Sequence, residues 1–111
     1  MKPPGDARGQ LERVLRAALA AVDAEAAVDR AVSRDGAHLF VAGSPLAAGQ
    51  RVWLLAVGKA AAGMAAAFER VAGDRLAGGL AITKDGHGLP LRRVALRFAG
   101  HPLPDARSEA A

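Results

Sequence analysis

Three short polar stretches hold most of the side chains able to do chemistry: Gly58-Lys59-Ala60, Lys84-Asp85-Gly86-His87-Gly88 and Gly100-His101-Pro102-Leu103-Pro104-Asp105. In the first, glycine permits a tight turn from strand into helix. Free N–H groups at a helix start, together with the helix dipole, favour an anion, and Lys59 adds a full positive charge at the same place. A carboxylate or a phosphate would be held there; the same residues also make a plain strand–helix turn with an exposed lysine. His87, between two glycines, is free either to donate a hydrogen bond to a substrate oxygen or to stand in solvent. Lys84 has three open uses: a pair with Asp85, solvent, or a ligand. In the third stretch two prolines fix the backbone and remove two donors, which holds His101 and Asp105 in a set orientation. Asp105 and Ser108 are also good caps for a following helix.

Familiar phosphate loops fit poorly. The ATP-binding pattern G-x-x-x-x-G-K-[ST] fails because Gly63 is followed by Met64. The dinucleotide pattern G-x-G-x-x-G is a near miss: Gly58, Ala60 and Gly63 fall on its positions, but a methyl group replaces the middle glycine. Asp85 lies beyond the roughly 20-residue spacing of the usual ribose-binding acid. There are no cysteines, which excludes disulfides, thiolate metal sites and cysteine nucleophiles. No two histidines and an acid share metal-ligand spacing on one helix, and His38 reads as structural or exposed.

The elements that must position these loops follow from periodicity. Leu11, Val14, Leu15, Ala18, Leu19 and Val22 recur at helical spacing over residues 7–22. Asp23 caps a second helix, Val28 and Val32 form its apolar stripe, and Asp35-Gly36 ends it. A short edge-like strand over 38–42 is closed by Gly43-Ser44-Pro45. Residues 51–57 are nearly all apolar, as in a central strand covered on both faces. A helix over 60–72, stopped by Gly73, leads to a buried strand at 79–83, a further strand at 94–98, and the first turn of a helix at the end. Each polar stretch therefore follows a strand, and ligands of open α/β sheets bind outside those carboxyl ends. The expected fold is a Rossmann-like α/β unit: an open, mostly parallel sheet with flanking helices, a helical opening over 7–35 and a strand–helix–strand core over 38–105.

Composition narrows the partners. With 111 residues, half of them apolar but rich in alanine and only 4% aromatic, the core is thin and is expected to lean on something else. The charge of +4 comes from scattered arginines, without basic runs or stacking aromatics, so nucleic acid is not expected. No apolar stretch reaches the ~18 residues of a membrane span, and no secretory leader is evident, so a cytoplasmic protein is expected.

These motifs carry a resemblance. Val57-Gly58-Lys59-Ala60-Ala61, then Gly79-Leu80-Ala81-Ile82-Thr83-Lys84 with Gly86-His87, then Gly100 through Asp105 with Ser108, resemble the N-terminal signature of class II glycerate kinases (glycerate 2-kinases). The resemblance implies transfer of the γ-phosphate of ATP to the 2-hydroxyl of D-glycerate, giving 2-phosphoglycerate, with Mg²⁺ assisting. It implies that Lys59 is the catalytic lysine, binding the substrate carboxylate or steadying the phosphoryl group, and that Gly58, His87, His101 and Asp105 line the same cleft. It implies no residue of this chain for ATP. Such enzymes are several hundred residues long, with a glycine- and serine-rich segment and a C-terminal MOFRL domain that this sequence lacks. The chain is therefore expected to be inactive alone and to need that remainder. Family members also carry the name hydroxypyruvate reductase, so an oxidoreductase is the alternative, and a non-catalytic remnant that binds small carboxylates is another.

Overall fold

In the computed structural model, which describes residues 5–111, the chain opens with α1 (Ala7–Ala21) and α2 (Ala24–Ala31). Residues 1–4, on which the expectation about a secretory leader partly rests, lie outside the described residues. Asp23 caps α2 as its type demands, its carboxylate accepting the Ala26 N–H at 2.9 Å, and Glu25 occupies the first turn. The apolar stripe of α1 forms but stays uncovered: none of its residues is buried. The projecting helix gives extents of 66 × 41 × 20 Å and a radius of gyration of 18.2 Å, against about 13 Å for a compact domain of this size.

The second helix stops earlier than its periodicity predicts. α2 ends at Ala31, and the chain passes into β1 (Val32–Asp35), which pairs antiparallel with β2 (His38–Val41); β2 in turn pairs with β3 (Ser44–Leu46). Val32 is buried, as a helical stripe would have it, but from a strand position opposite Val41. A β-branched residue suits that position well. Arg34 holds the meander against the rest of the chain. Its guanidinium donates to the carbonyls of Gly36 and Ala72, both at 2.8 Å, and pairs with Asp74 at 2.7 Å. Gly43-Ser44-Pro45, which reads as a strand end, contains the start of β3. The proline is tolerated because β3 is an edge strand.

The second sheet is parallel and has the order β4-β5-β6, formed by β4 (Val52–Val57), β5 (Leu76–Lys84) and β6 (Val94–Ala99). Between β4 and β5 run α3 (Ala61–Ala72) and a 3₁₀ turn at Gly73–Arg75; α4 (Ala106–Ala110) follows β6. The parallel α/β architecture is thus present, with the antiparallel meander as a separate addition. One expectation fails in detail: β4 is an edge strand, and β5 takes the central place. Val52, Leu54 and Ala56 pack toward the core, while Trp53, Leu55 and Val57 remain about 70% exposed (69%, 70% and 69%). Among the described residues, α3 covers one face of the sheet only.

The core is built from Ala61, Ala65, Ala67, Phe68 and Ala72 of α3 with Leu76, Ala81, Val94, Val28, Val32 and Leu39. Small side chains let α3 lie close to the sheet. Glu69 joins the helix to β6, its carboxylate accepting the N–H groups of Arg92, Arg93 and Val94 at 2.8–2.9 Å. Partial burial works against that charge, but the three donors outweigh it and hold the carboxyl below its usual range. Replacing Glu69 by Ala strands all three donors. We expect a loss of about 1–3 kcal/mol in denaturant unfolding, with Glu69→Gln retaining part of it.

Candidate active site at the carboxyl edge of the parallel sheet

Parallel pairing brings the carboxyl ends of β4, β5 and β6 to one edge, with Val57 opposite Ile82 and Lys84 opposite Ala99. The three polar stretches therefore emerge side by side. Gly58 leaves β4 with φ 122°, a conformation that glycine adopts freely and other residues resist. Its N–H still donates to the Ile82 carbonyl at 2.9 Å, so the turn begins from an intact ladder. Thr83, only 2% exposed, donates its hydroxyl to the Lys59 carbonyl at 3.3 Å and ties the β4 turn to β5. Helix α3 starts just beyond, and Ala60 at its cap offers no side-chain acceptor. The Ala61 N–H donates back to the Gly58 carbonyl at 3.1 Å, and the N–H groups that follow it in the first turn are the ones such a helix can offer an anion.

Lys59 borders two cavities. One, of about 290 Å³, lies between α2, the start of α3 and the loop after β5, and is lined by Asp23, Glu25, Lys59, Gly63, His87 and neighbours. The other, of about 180 Å³, sits on the strand ends and is lined by Gly58, Lys59, Thr83, Lys84, His101 and Ser108 among others. The structure thus brings Gly58, Lys59, His87 and His101 together around one lysine. None of the ion pairs among the described residues involves Lys59 or Lys84. A larger cavity of about 550 Å³ between α2, α3 and β4 is lined only by apolar residues such as Val28, Leu54 and Phe68 and offers no chemistry. His38 is exposed on β2, in the other sheet.

Asp105 lines neither cavity. It caps α4 by accepting the N–H groups of Arg107 and Ser108 at 3.0 and 3.3 Å, and the Ser108 hydroxyl accepts the Asp105 N–H at 3.1 Å in return. The same carboxylate accepts the Gly100 N–H at 3.3 Å and closes the loop on itself. Gly100 is obligatory here, because a Cβ would stand 2.5 Å from the Leu103 carbonyl oxygen. Sequence reasoning overlooked Arg107. Its guanidinium donates to both oxygens of Asp85 at 2.8 Å and to Asp105 at 2.9 and 3.1 Å. The fork holds both carboxyls below their usual range and raises the arginine in turn. The spacing of Asp105 and Arg107 hinted at a local contact, but the link to Asp85 needs the β5–β6 register.

An open parallel sheet with unpaired lysines, histidines and a helix start at its carboxyl edge defines an α/β protein whose polar groups gather where ligands of this fold class bind. More particularly, the chain belongs to the family described as Domain of unknown function (DUF4147), the N-terminal domain of glycerate kinases, whose sequence profile matches residues 10–111. A glycerate 2-kinase of Pyrococcus horikoshii is 36% identical over 96 residues, which is 86% of this chain and 21% of that protein. A putative hydroxypyruvate reductase of Agrobacterium vitis is 33% identical over 103 residues, 92% of this chain and 20% of that protein. The crystal structure of a Pyrococcus horikoshii OT3 protein superimposes with a TM-score of 0.75 at 35% identity, covering 92% of this chain and 23% of the other. The chain spans about a fifth of the length of the curated relatives it matches.

Proposed function

We propose that this chain provides the substrate-anion side of a glycerate 2-kinase, in which D-glycerate and ATP give 2-phosphoglycerate and ADP. The observation that supports it is the position of Lys59: an unpaired ammonium group at the start of α3, bordering both cavities on the carboxyl edge. There it draws in the carboxylate of glycerate or neutralises charge on the transferring phosphoryl group, the main protein contribution to such a reaction. His87 and His101, one from each neighbouring loop, donate to the hydroxyl oxygens. Among the described residues no cluster of three or more His, Cys, Asp or Glu is placed to hold a metal ion. ATP and Mg²⁺ are proposed to be held by the remainder of a larger enzyme, of which this chain matches about a fifth. No described helix is long and apolar enough to cross a membrane, and the proposed setting is the cytoplasm.

The alternative, a hydroxypyruvate reductase using a nicotinamide cofactor, is less well supported. Ala60 stands where the dinucleotide pattern has its middle glycine, and its methyl group would crowd a pyrophosphate. Calorimetric titration separates the readings. Heat with D-glycerate that disappears in Lys59→Ala supports the kinase assignment. Binding of NADH without binding of glycerate would overturn it.

A further inference from the structure

Arg107 stands outside every motif discussed for the site, yet it joins two of the three loops that form it. Asp85 follows β5 and Asp105 follows β6, and both carboxylates converge on one guanidinium within 2.8–3.1 Å. The contact with Asp85 is bidentate, the geometry in which arginine fixes orientation as well as charge. Each end of the fork is anchored to backbone. The turn bearing Asp85 is closed by the His87 N–H donating to the Lys84 carbonyl at 3.2 Å. The loop bearing Asp105 is closed by the Gly100 N–H on that carboxylate. His87 lies two residues from Asp85, and His101 is next to Gly100.

We propose that Arg107 is a positioning residue, a clamp that makes the loops after β5 and β6 a single unit and so sets the spacing of Lys84 and His87 from His101. Its meaning for catalysis rests on the glycerate-site reading above; the clamp itself does not. A lysine cannot replace the arginine, since an ammonium group lacks the planar fork that meets both oxygens of Asp85.

Hydrogen exchange on the full chain, read at the His87 and Gly100 amides with Gly79–Ile82 as the control for global folding, tests the clamp without any ligand. Arg107→Gln is expected to speed exchange at both amides by roughly tenfold or more and leave the control unchanged. The exchanged pair Asp85→Arg with Arg107→Asp should restore His87 protection toward the native level. Unchanged exchange at both amides in Arg107→Gln overturns the clamp. If Arg107→Gln unfolds the chain, Arg107→Lys serves in its place, with the same expected and overturning results. Glycerate titration of the same variants then separates positioning from charge. In a chain that binds glycerate, the neutral double variant Asp85→Asn with Arg107→Gln should still bind weakly if position matters. Native affinity in that variant refutes the positioning role. Failure of the unaltered chain to bind glycerate counts against the proposed function alone, since the exchange result stands by itself.

Discussion

Replacing Lys59 by Ala in a polypeptide that contains this chain and phosphorylates D-glycerate should reduce kcat by about 100-fold or more. The melting temperature should stay where it was. Both halves of that result follow from the geometry. The Lys59 side chain is exposed and takes no part in the ion pairs of the described residues, so its removal costs the fold little. The backbone that positions it is held independently, by the Gly58 N–H on Ile82 and the Thr83 hydroxyl on the Lys59 carbonyl. Lys59→Arg keeps the charge but moves it outward on a longer, planar head group, and should recover only part of the rate. Steady-state kinetics beside a thermal melt checks this; native kcat in the alanine variant would remove Lys59 from the mechanism.

The second large effect is expected at Gly79. A Cβ there would stand 2.3 Å from the carbonyl oxygen of Leu54 and 3.0 Å from its Cβ, in the strand paired with it. A backbone oxygen cannot swing aside as a side chain can, so β4 and β5 must separate locally. Gly79→Ala should therefore destabilise the chain by about 3 kcal/mol, the upper end of the usual overpacking cost. Gly78→Ala, one residue earlier, meets the ring of Trp53 at 2.8 Å, a side chain with exposed space to move into, and should cost less. Denaturant melts of the two variants rank them, and equal stabilities would show that the strand spacing relaxes.

These two positions differ in how far the sequence reveals them. Gly58-Lys59 was legible because an apolar strand, a glycine and an alanine-rich helix follow one another without interruption, and local pattern decides such a turn. Gly79 reads only as part of a buried strand, since its tight fit depends on which residue of β4 lies opposite. Of the meander over 32–46 only its strand at 38–42 was legible, the rest being hidden for a related reason. Val28 and Val32 keep helical spacing, and what makes Val32 a strand residue is pairing with Val41 and the anchoring of Arg34 on Ala72. The edge position of β4 escaped because a run of apolar residues looks the same whether both faces are covered or one is bare. Arg107 and Asp85 lie 22 positions apart, and only the parallel register brings them together.

The bare face of β4 also provides an optical handle. Trp53 is the sole tryptophan and the chain has no tyrosine, so near-ultraviolet emission excited at long wavelength comes from this one indole. It stands on the uncovered side of the sheet, largely in water, where its emission will be red-shifted and open to collisional quenching by iodide. Any polypeptide that settles on that side must displace this water and shift the emission toward the blue. Docking onto the sheet can thus be followed by fluorescence without a label, and separately from ligand binding at the Lys59 edge.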